Sequence, residues 1–402
     1  MQFLKNRWFV VVGALIIQVC LGAIYSWSVF VNPLKEVFDY TTTQTQIIFS
    51  LALATFALVM IFAGSLQDRK GPRLVATLGG VVLGTGYLLA SLTDGQFSLI
   101  ALTVGVIGGA GIGLAYVCPI AACVKWFPDK RGMVTGLAVA GFGAGAWLFA
   151  KIASGFIDSY GLLASFQYLG VIFMLSVVVG AQLLRNPPTG WQPEGWQPPE
   201  SQFKISAVED FAWRDMIKLR QFWMLWIMFV FGAAAGLLVI GILNPYGIHS
   251  GLSAAAAANA VGVLALFNGA GRIVWGTASD KIGRKNALTL MFLLQGVMML
   301  ALINMGSTEL TLSIAAAWVG FNFGGNLALF PSTTADFFGT KNVGINYGLM
   351  FTAYGVAGIV GPILAGNVFD ITGSYLWAFI PSGVACLIAA GISLGLKNPH
   401  HN

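Results

Sequence analysis

Charge is scarce in this sequence. Asp, Glu, Lys and Arg make up 9% of its 402 residues, against roughly 25% in an average soluble domain. Most of the chain therefore has no water-facing surface to offer. The excess of 21 Lys+Arg over 15 Asp+Glu is spread too thinly for a nucleic-acid face. Cysteine is scarce as well: Cys20, Cys118, Cys123 and Cys386 all lie in apolar stretches, with no CxxC spacing and no histidine nearby. That argues against a disulfide framework or a zinc site and reads as small buried hydrophobes. No histidine cluster, nucleophile motif or metal-ligand spacing occurs within the apolar stretches, so neither enzyme chemistry nor a cofactor or metal is expected.

What is abundant is apolar length, with 57% of residues hydrophobic. A bilayer core about 30 Å thick needs about 20 apolar residues of helix, and backbone polar groups in lipid must be bonded within their own segment. Twelve stretches qualify: 8–32, 44–66, 74–92, 97–122, 132–157 and 163–184, then 222–246, 253–278, 286–304, 309–334, 344–369 and 374–396. The first follows Lys5 and Arg7 but is too long for a signal peptide and lacks a small-residue cleavage site, so it reads as a retained span. Basic residues fix the expected orientation. With the N-terminus in the cytoplasm, all but Lys35, Lys151 and Arg272 fall in cytoplasmic segments or at their edges, while Glu36, Asp39, Asp94, Asp158, Glu309 and Asp370 lie opposite. The sequence thus predicts a multi-pass protein of the cell inner (plasma) membrane with both termini cytoplasmic. The lipid bilayer is its expected surrounding, and no nucleic-acid partner is expected.

Residues 185–220 break the hydrophobic pattern with a tandem GWQPEGWQPPE, whose prolines disfavour helix and sheet. This stretch reads as a cytoplasmic linker, with a short polar helix over 207–220, between halves 1–184 and 221–402. The halves repeat. Gly64, Asp68 and Gly71 match Gly276, Asp280 and Gly283 at an offset of 212 residues. The same offset links Asn32-Pro33 to Asn244-Pro245, Pro119 to Pro331, and Gly132, Gly136 and Leu137 to Gly344, Gly348 and Leu349. One offset holding across several spans indicates duplication, a common build of secondary transporters. In the repeated loop an aspartate sits at a span end beside basic residues and a turn-permitting glycine. Asp68, Arg69 and Arg73, and Asp280, Lys281 and Arg284, form two clusters suited to hold helices in one conformation and release them in another.

The twice-occurring pattern G-x-x-x-D-[RK]-x-G-x-[RK] resembles the signature loop of the major facilitator superfamily, and twelve spans with a central linker agree with it over the whole chain. The resemblance implies an all-α membrane fold of twelve transmembrane helices in two six-helix bundles related by duplication, working around a central cavity.

An ionisable side chain deep in lipid costs at least about 2.5–3.5 kcal/mol on insertion scales, so it marks function by default. Arg272 lies eight residues before Asp280, about 12 Å deep at the helical rise, and no Asp or Glu occurs within any span at that depth. A forked guanidinium there suits a carboxylate brought from outside. The alternative is that Arg272 bonds helix carbonyls or snorkels. Tyr116, Phe142, Tyr354 and Asn326 fall at similar depth, and Asn268 stands one turn from Arg272 on the same helix face. Lys151, near the outer surface, reads as a snorkelling side chain. Gly108-Gly-Ala-Gly-Ile-Gly113 reads as small residues for close helix packing rather than as a phosphate loop.

Tyr25-Ser-Trp27-Ser, Trp126-Phe-Pro-Asp-Lys-Arg-Gly132, Asn322-Phe-Gly-Gly325, Phe330-Pro-Ser332 and Asn346-Tyr-Gly348 together resemble the oxalate/formate antiporter family, which neighbours the monocarboxylate transporters. The resemblance implies that Arg272 is the substrate-binding arginine of the eighth span, that Tyr25 and Tyr116 line the cavity, and that Phe142, Phe323 and Phe351 fill aromatic cavity positions. Two departures matter. Tyr354 stands where the oxalate exchanger has a second cation, a lysine, so a monoanion such as lactate, pyruvate or formate fits better than oxalate. Asn268 stands where proton-linked relatives have an aspartate, which leaves proton symport and anion exchange both open. The expected function is a monomeric secondary transporter of small carboxylates, with protons as a possible co-substrate. Oxalate/formate-type exchange, drug export and membrane sensing are the alternatives.

Overall fold

A computed structural model describes residues 7–40, 42–188, 190–193 and 210–399. Twelve helices are long and apolar enough to cross a membrane, and there is no β-strand among the described residues. The first span runs Trp8–Ser26, its last turn tightening to a 3₁₀ helix at Gly22–Ser26, and the separate helix Ser28–Phe38 follows. The next five are Thr42–Lys70, Pro72–Ala90, Phe97–Trp126, Arg131–Tyr160 and Leu162–Leu183. The second set is Arg220–His249, Ala254–Ile282, Arg284–Asn304, Glu309–Phe338, Val343–Thr372 and Leu376–Leu394. Every predicted span is present. The expected helix over 207–220 is reduced to Trp213–Met216 among the described residues, since 210–212 are non-helical; 207–209 and most of the tandem repeat lie outside the described residues.

The chain forms two compact units. The first comprises residues 1–128, 141–195 and 340–348; the second comprises 129–140, 196–339 and 349–402. The boundary between them falls inside the stretch read as linker, and each unit takes in a short opening segment of a span from the other half of the sequence.

In the first unit the second span packs on the fourth, the third on the fourth and sixth, and the first on the fourth and sixth. In the second unit the eighth packs on the tenth, the ninth on the tenth and twelfth, and the seventh on the tenth and twelfth. These pairings recur after a shift of six spans, as duplication requires. Glycine sets the closest of these approaches. A Cβ at Gly324 would overlap the Asn268 carbonyl, and one at Gly271 would overlap the Phe321 carbonyl, so the eighth and tenth spans lie backbone to backbone. The Gly108–Gly113 run serves the same end: Gly109, Gly111 and Gly113 meet Ala52, Leu83 and Phe56. Gly71 and Gly283, matched by the repeat, open the third and ninth spans at φ of 87° and 86°, a region that an L side chain enters only at a cost. Apolar side chains such as Phe62, Leu266 and Ile371 point outward, as expected for a surface that faces lipid rather than water.

Candidate functional site

Arg272 sits mid-way along the eighth span and is 1% exposed. Its Nε donates to Asn268 Oδ1 at 3.1 Å, one turn back on the same helix, and a terminal nitrogen donates to the Val139 carbonyl of the fifth span, within the same unit. The carbonyl bond realises part of the alternative weighed from sequence: the guanidinium is engaged by protein groups. Both of these acceptors are neutral oxygens, and the two bonds orient the guanidinium. A Cβ at Gly136 would overlap the Arg272 carbonyl, which explains why glycine lets the fifth span approach the eighth here.

The aromatic side chains selected from sequence gather in two groups. In the first unit Tyr25 and Tyr116 pack edge-on against Phe142 with ring centroids 5.0 and 5.5 Å apart, and Phe56 closes on Tyr116 at 5.0 Å. Gln18 donates to the Tyr116 carbonyl at 3.3 Å. In the second unit Phe351 stacks on Tyr354 at 4.9 Å, with Phe323 and Phe229 each 6.4 Å from Tyr354. Phe56 and Phe229 were not selected, because in an apolar span a ring carries no signal that separates packing from site.

Asn326 of the tenth span is buried. Its amide lies against Gly232 of the seventh span and Phe292 of the ninth, where a Cβ at Gly232 would stand 2.7 Å from Asn326 Oδ1. Lys151 is exposed and holds its ammonium 4.0 Å from the Trp147 ring centroid, a cation–π contact.

The repeated loops yield the sharpest electrostatics. Asp280 accepts from the backbone N–H groups of Gly132 and Met133, both at 2.8 Å, so one carboxylate caps the first turn of the fifth span. Asp68 does the same for the eleventh span, accepting from Gly344 at 3.2 Å and Ile345 at 2.9 Å. First-turn amides have no acceptor within their own helix, and the helix dipole favours an anion there. Arg284 bridges Asp280 at 2.8 Å and Asp336 at 2.7 Å, and Arg131 of the capped turn also pairs with Asp336. The other cluster holds Lys125 at 3.6 Å from Asp68. Three expected members stand apart: Arg69, Arg73 and Lys281 are exposed and make no ion pair among the described residues. Lys125, Arg131 and Asp336 take their place, contributed by the fourth, fifth and tenth spans. No group of three or more potential metal ligands occurs among the described residues.

A sequence profile of the Major Facilitator Superfamily matches residues 12–362 and 260–402. An uncharacterized MFS-type transporter, YhjX, of Escherichia coli (strain K12) is 32% identical over 89% of this chain and 87% of its own length. An oxalate:formate antiporter of Oxalobacter formigenes is 31% identical over 97% of this chain and 91% of its own. Among solved structures, the Major Facilitator Superfamily transporter FucP in its outward conformation superposes with a TM-score of 0.71 at 16% identity, covering 97% of this chain and 98% of that one.

Proposed function

The chain belongs to the major facilitator superfamily, and from that premise we propose that it carries small monocarboxylates across the membrane by alternating access. The observation that carries this reading is a fully buried guanidinium, Arg272, oriented by neutral oxygens in the middle of a membrane span. An incoming carboxylate gains charge-assisted hydrogen bonds there that a neutral solute does not. Pairing with a substrate carboxylate offsets positive charge at Arg272, which lowers the cost of enclosing the site away from water.

The likeness to an oxalate:formate antiporter supports the carboxylate class. Tyr354, stacked on Phe351, supplies a phenol where a second fixed cation would serve a dianion, so we assign monoanions of the formate, lactate or pyruvate type. Oxalate exchange is the second reading, favoured by the same relative. The carboxylate caps at Asp68 and Asp280 belong to one conformation and are given up in the other. The chain acts as a monomer in the inner (plasma) membrane. Both termini are cytoplasmic, an orientation supported by the distribution of its basic residues, and residues 185–220 join the two bundles.

Counterflow in proteoliposomes, with labelled C1–C4 carboxylates and with and without a pH gradient, tests the reading. Saturable counterflow of at least one monocarboxylate, with little of oxalate, is expected. Absence of counterflow for every monocarboxylate would overturn the assignment, and stimulation by an inward proton gradient would identify symport.

A further inference from the structure

One group of buried polar side chains in the second unit has no role in the site above. Gln295 of the ninth span and Asn322 and Asn326 of the tenth are each at most 2% exposed. Asn322 Oδ1 accepts from the Trp275 indole at 3.1 Å, which fixes the orientation of its amide and leaves Nδ2 without a partner. Asn326 Nδ2 reaches the Asn322 carbonyl at 3.4 Å, leaving Oδ1 unpaired, and both polar atoms of the Gln295 amide are unpaired.

The contacts between the two spans place these residues at neighbouring levels. Gly325 lies against Met291, since a Cβ there would stand 2.7 Å from Met291 Sδ, and on the other side Trp318 donates to the Leu294 carbonyl at 3.2 Å. The ninth and tenth spans run antiparallel, so one turn outward from the Met291–Gly325 contact Gln295 comes opposite Asn322. Asn326 follows Gly325 directly and stands one turn from Asn322, beside Phe292. The unpaired atoms are two donors, Asn322 Nδ2 and Gln295 Nε2, and two acceptors, Asn326 Oδ1 and Gln295 Oε1. A metal ion would leave the donors unpaired and an anion would leave the acceptors unpaired; a molecule that both donates and accepts serves all four. The first half of the sequence has nothing comparable. At the repeat offset, Gln295, Asn322, Asn326 and Trp275 correspond to Leu83, Ala110, Leu114 and Ala63. The duplication has therefore kept the helix pair while one copy alone became polar.

We infer that Gln295, Asn322 and Asn326 form a binding site for ordered water between the ninth and tenth spans. Buried polar groups of native proteins are satisfied by protein or by ordered water, and a buried water typically makes about three hydrogen bonds to such groups.

Infrared spectra of hydrated proteoliposome films test this, comparing D₂O with D₂¹⁸O for the full-length protein and for Gln295→Leu and Asn322→Ala, the residues of the first repeat. Size-exclusion profile and helical circular dichroism check folding. A narrow ¹⁸O-sensitive O–D band of strongly bound water is expected in the parent and lost in both variants. The same ¹⁸O-sensitive spectrum in all three proteins overturns the inference. If either variant fails to fold, a crystal structure of the parent fine enough to resolve ordered water decides. Water bonded to Gln295 and Asn322 supports the site, and amides bonded directly to each other refute it.

Discussion

Replacing Asp280 by Asn isolates one carboxylate cap. In the parent, the Gly132 and Met133 amides lie in the first turn of the fifth span and point at the two oxygens of Asp280. No acceptor within their own helix is available to them, so their protection from hydrogen exchange comes from this side chain. Asn keeps one neutral acceptor and loses the second oxygen and the charge. Hydrogen bonds to a charged group contribute about 1.5–3 kcal/mol each, and loss of a helix cap costs about 0.5–2 kcal/mol. Since Asn retains part of the cap, about 1.5–3 kcal/mol of local protection should go. That corresponds to exchange at Gly132 and Met133 faster by about ten- to a hundredfold. Hydrogen-exchange mass spectrometry resolved to these two amides reads it. The amides of Gly344 and Ile345, capped by Asp68, serve as an internal control and should change much less. Equal exchange at Gly132 and Met133 in variant and parent would show that the carboxylate does not hold the turn.

Three further outcomes follow from the same contacts. Asp336 joins Arg131 and Arg284, so Asp336→Asn removes a partner from two guanidiniums and should cost about 3–5 kcal/mol; an unchanged melting temperature contradicts this. Tyr354→Lys supplies the second cation that this chain lacks and should shift counterflow from monocarboxylates towards oxalate; an unaltered preference counts against the one-cation argument. Asn268→Asp places a carboxylate on Arg272 Nε, where Asn268 now accepts, and should weaken carboxylate transport at neutral pH, since the new anion competes with the substrate for the guanidinium; unchanged transport would exclude that competition.

The spans, the duplication and the residue types of the site were legible because each has a one-dimensional signature: apolar length, a fixed offset, and depth counted along a helix. Depth, however, is one coordinate of a side chain and azimuth is another. Tyr25, Tyr116 and Phe142 share both and meet. Asn326 was chosen by depth alone, and its amide lies against Gly232 of the seventh span and Phe292 of the ninth. Contacts between distant segments were less legible still. Asp280 and Gly132 are 148 residues apart, and nothing local in either loop announces that one caps the other. The loop pattern therefore selected Arg69 and Lys281, which are exposed, and passed over Arg131 and Asp336. The Val139 bond on Arg272 was hidden for the same reason, since Val139 offers only a backbone carbonyl, a group every residue has, whereas Asn268 stands one turn away along the same helix.

The most direct test of the carboxylate assignment is a solid-state NMR distance between [1-¹³C]pyruvate and the ¹⁵N-labelled guanidinium of Arg272 in proteoliposomes, with Arg272→Lys used to assign the signal. Direct charge-assisted pairing at hydrogen-bond range predicts a carbon–nitrogen separation of about 3.5–4 Å, lost in the variant. Dephasing no greater than in Arg272→Lys, in a preparation that still transports pyruvate, would place the substrate elsewhere and contradict the account.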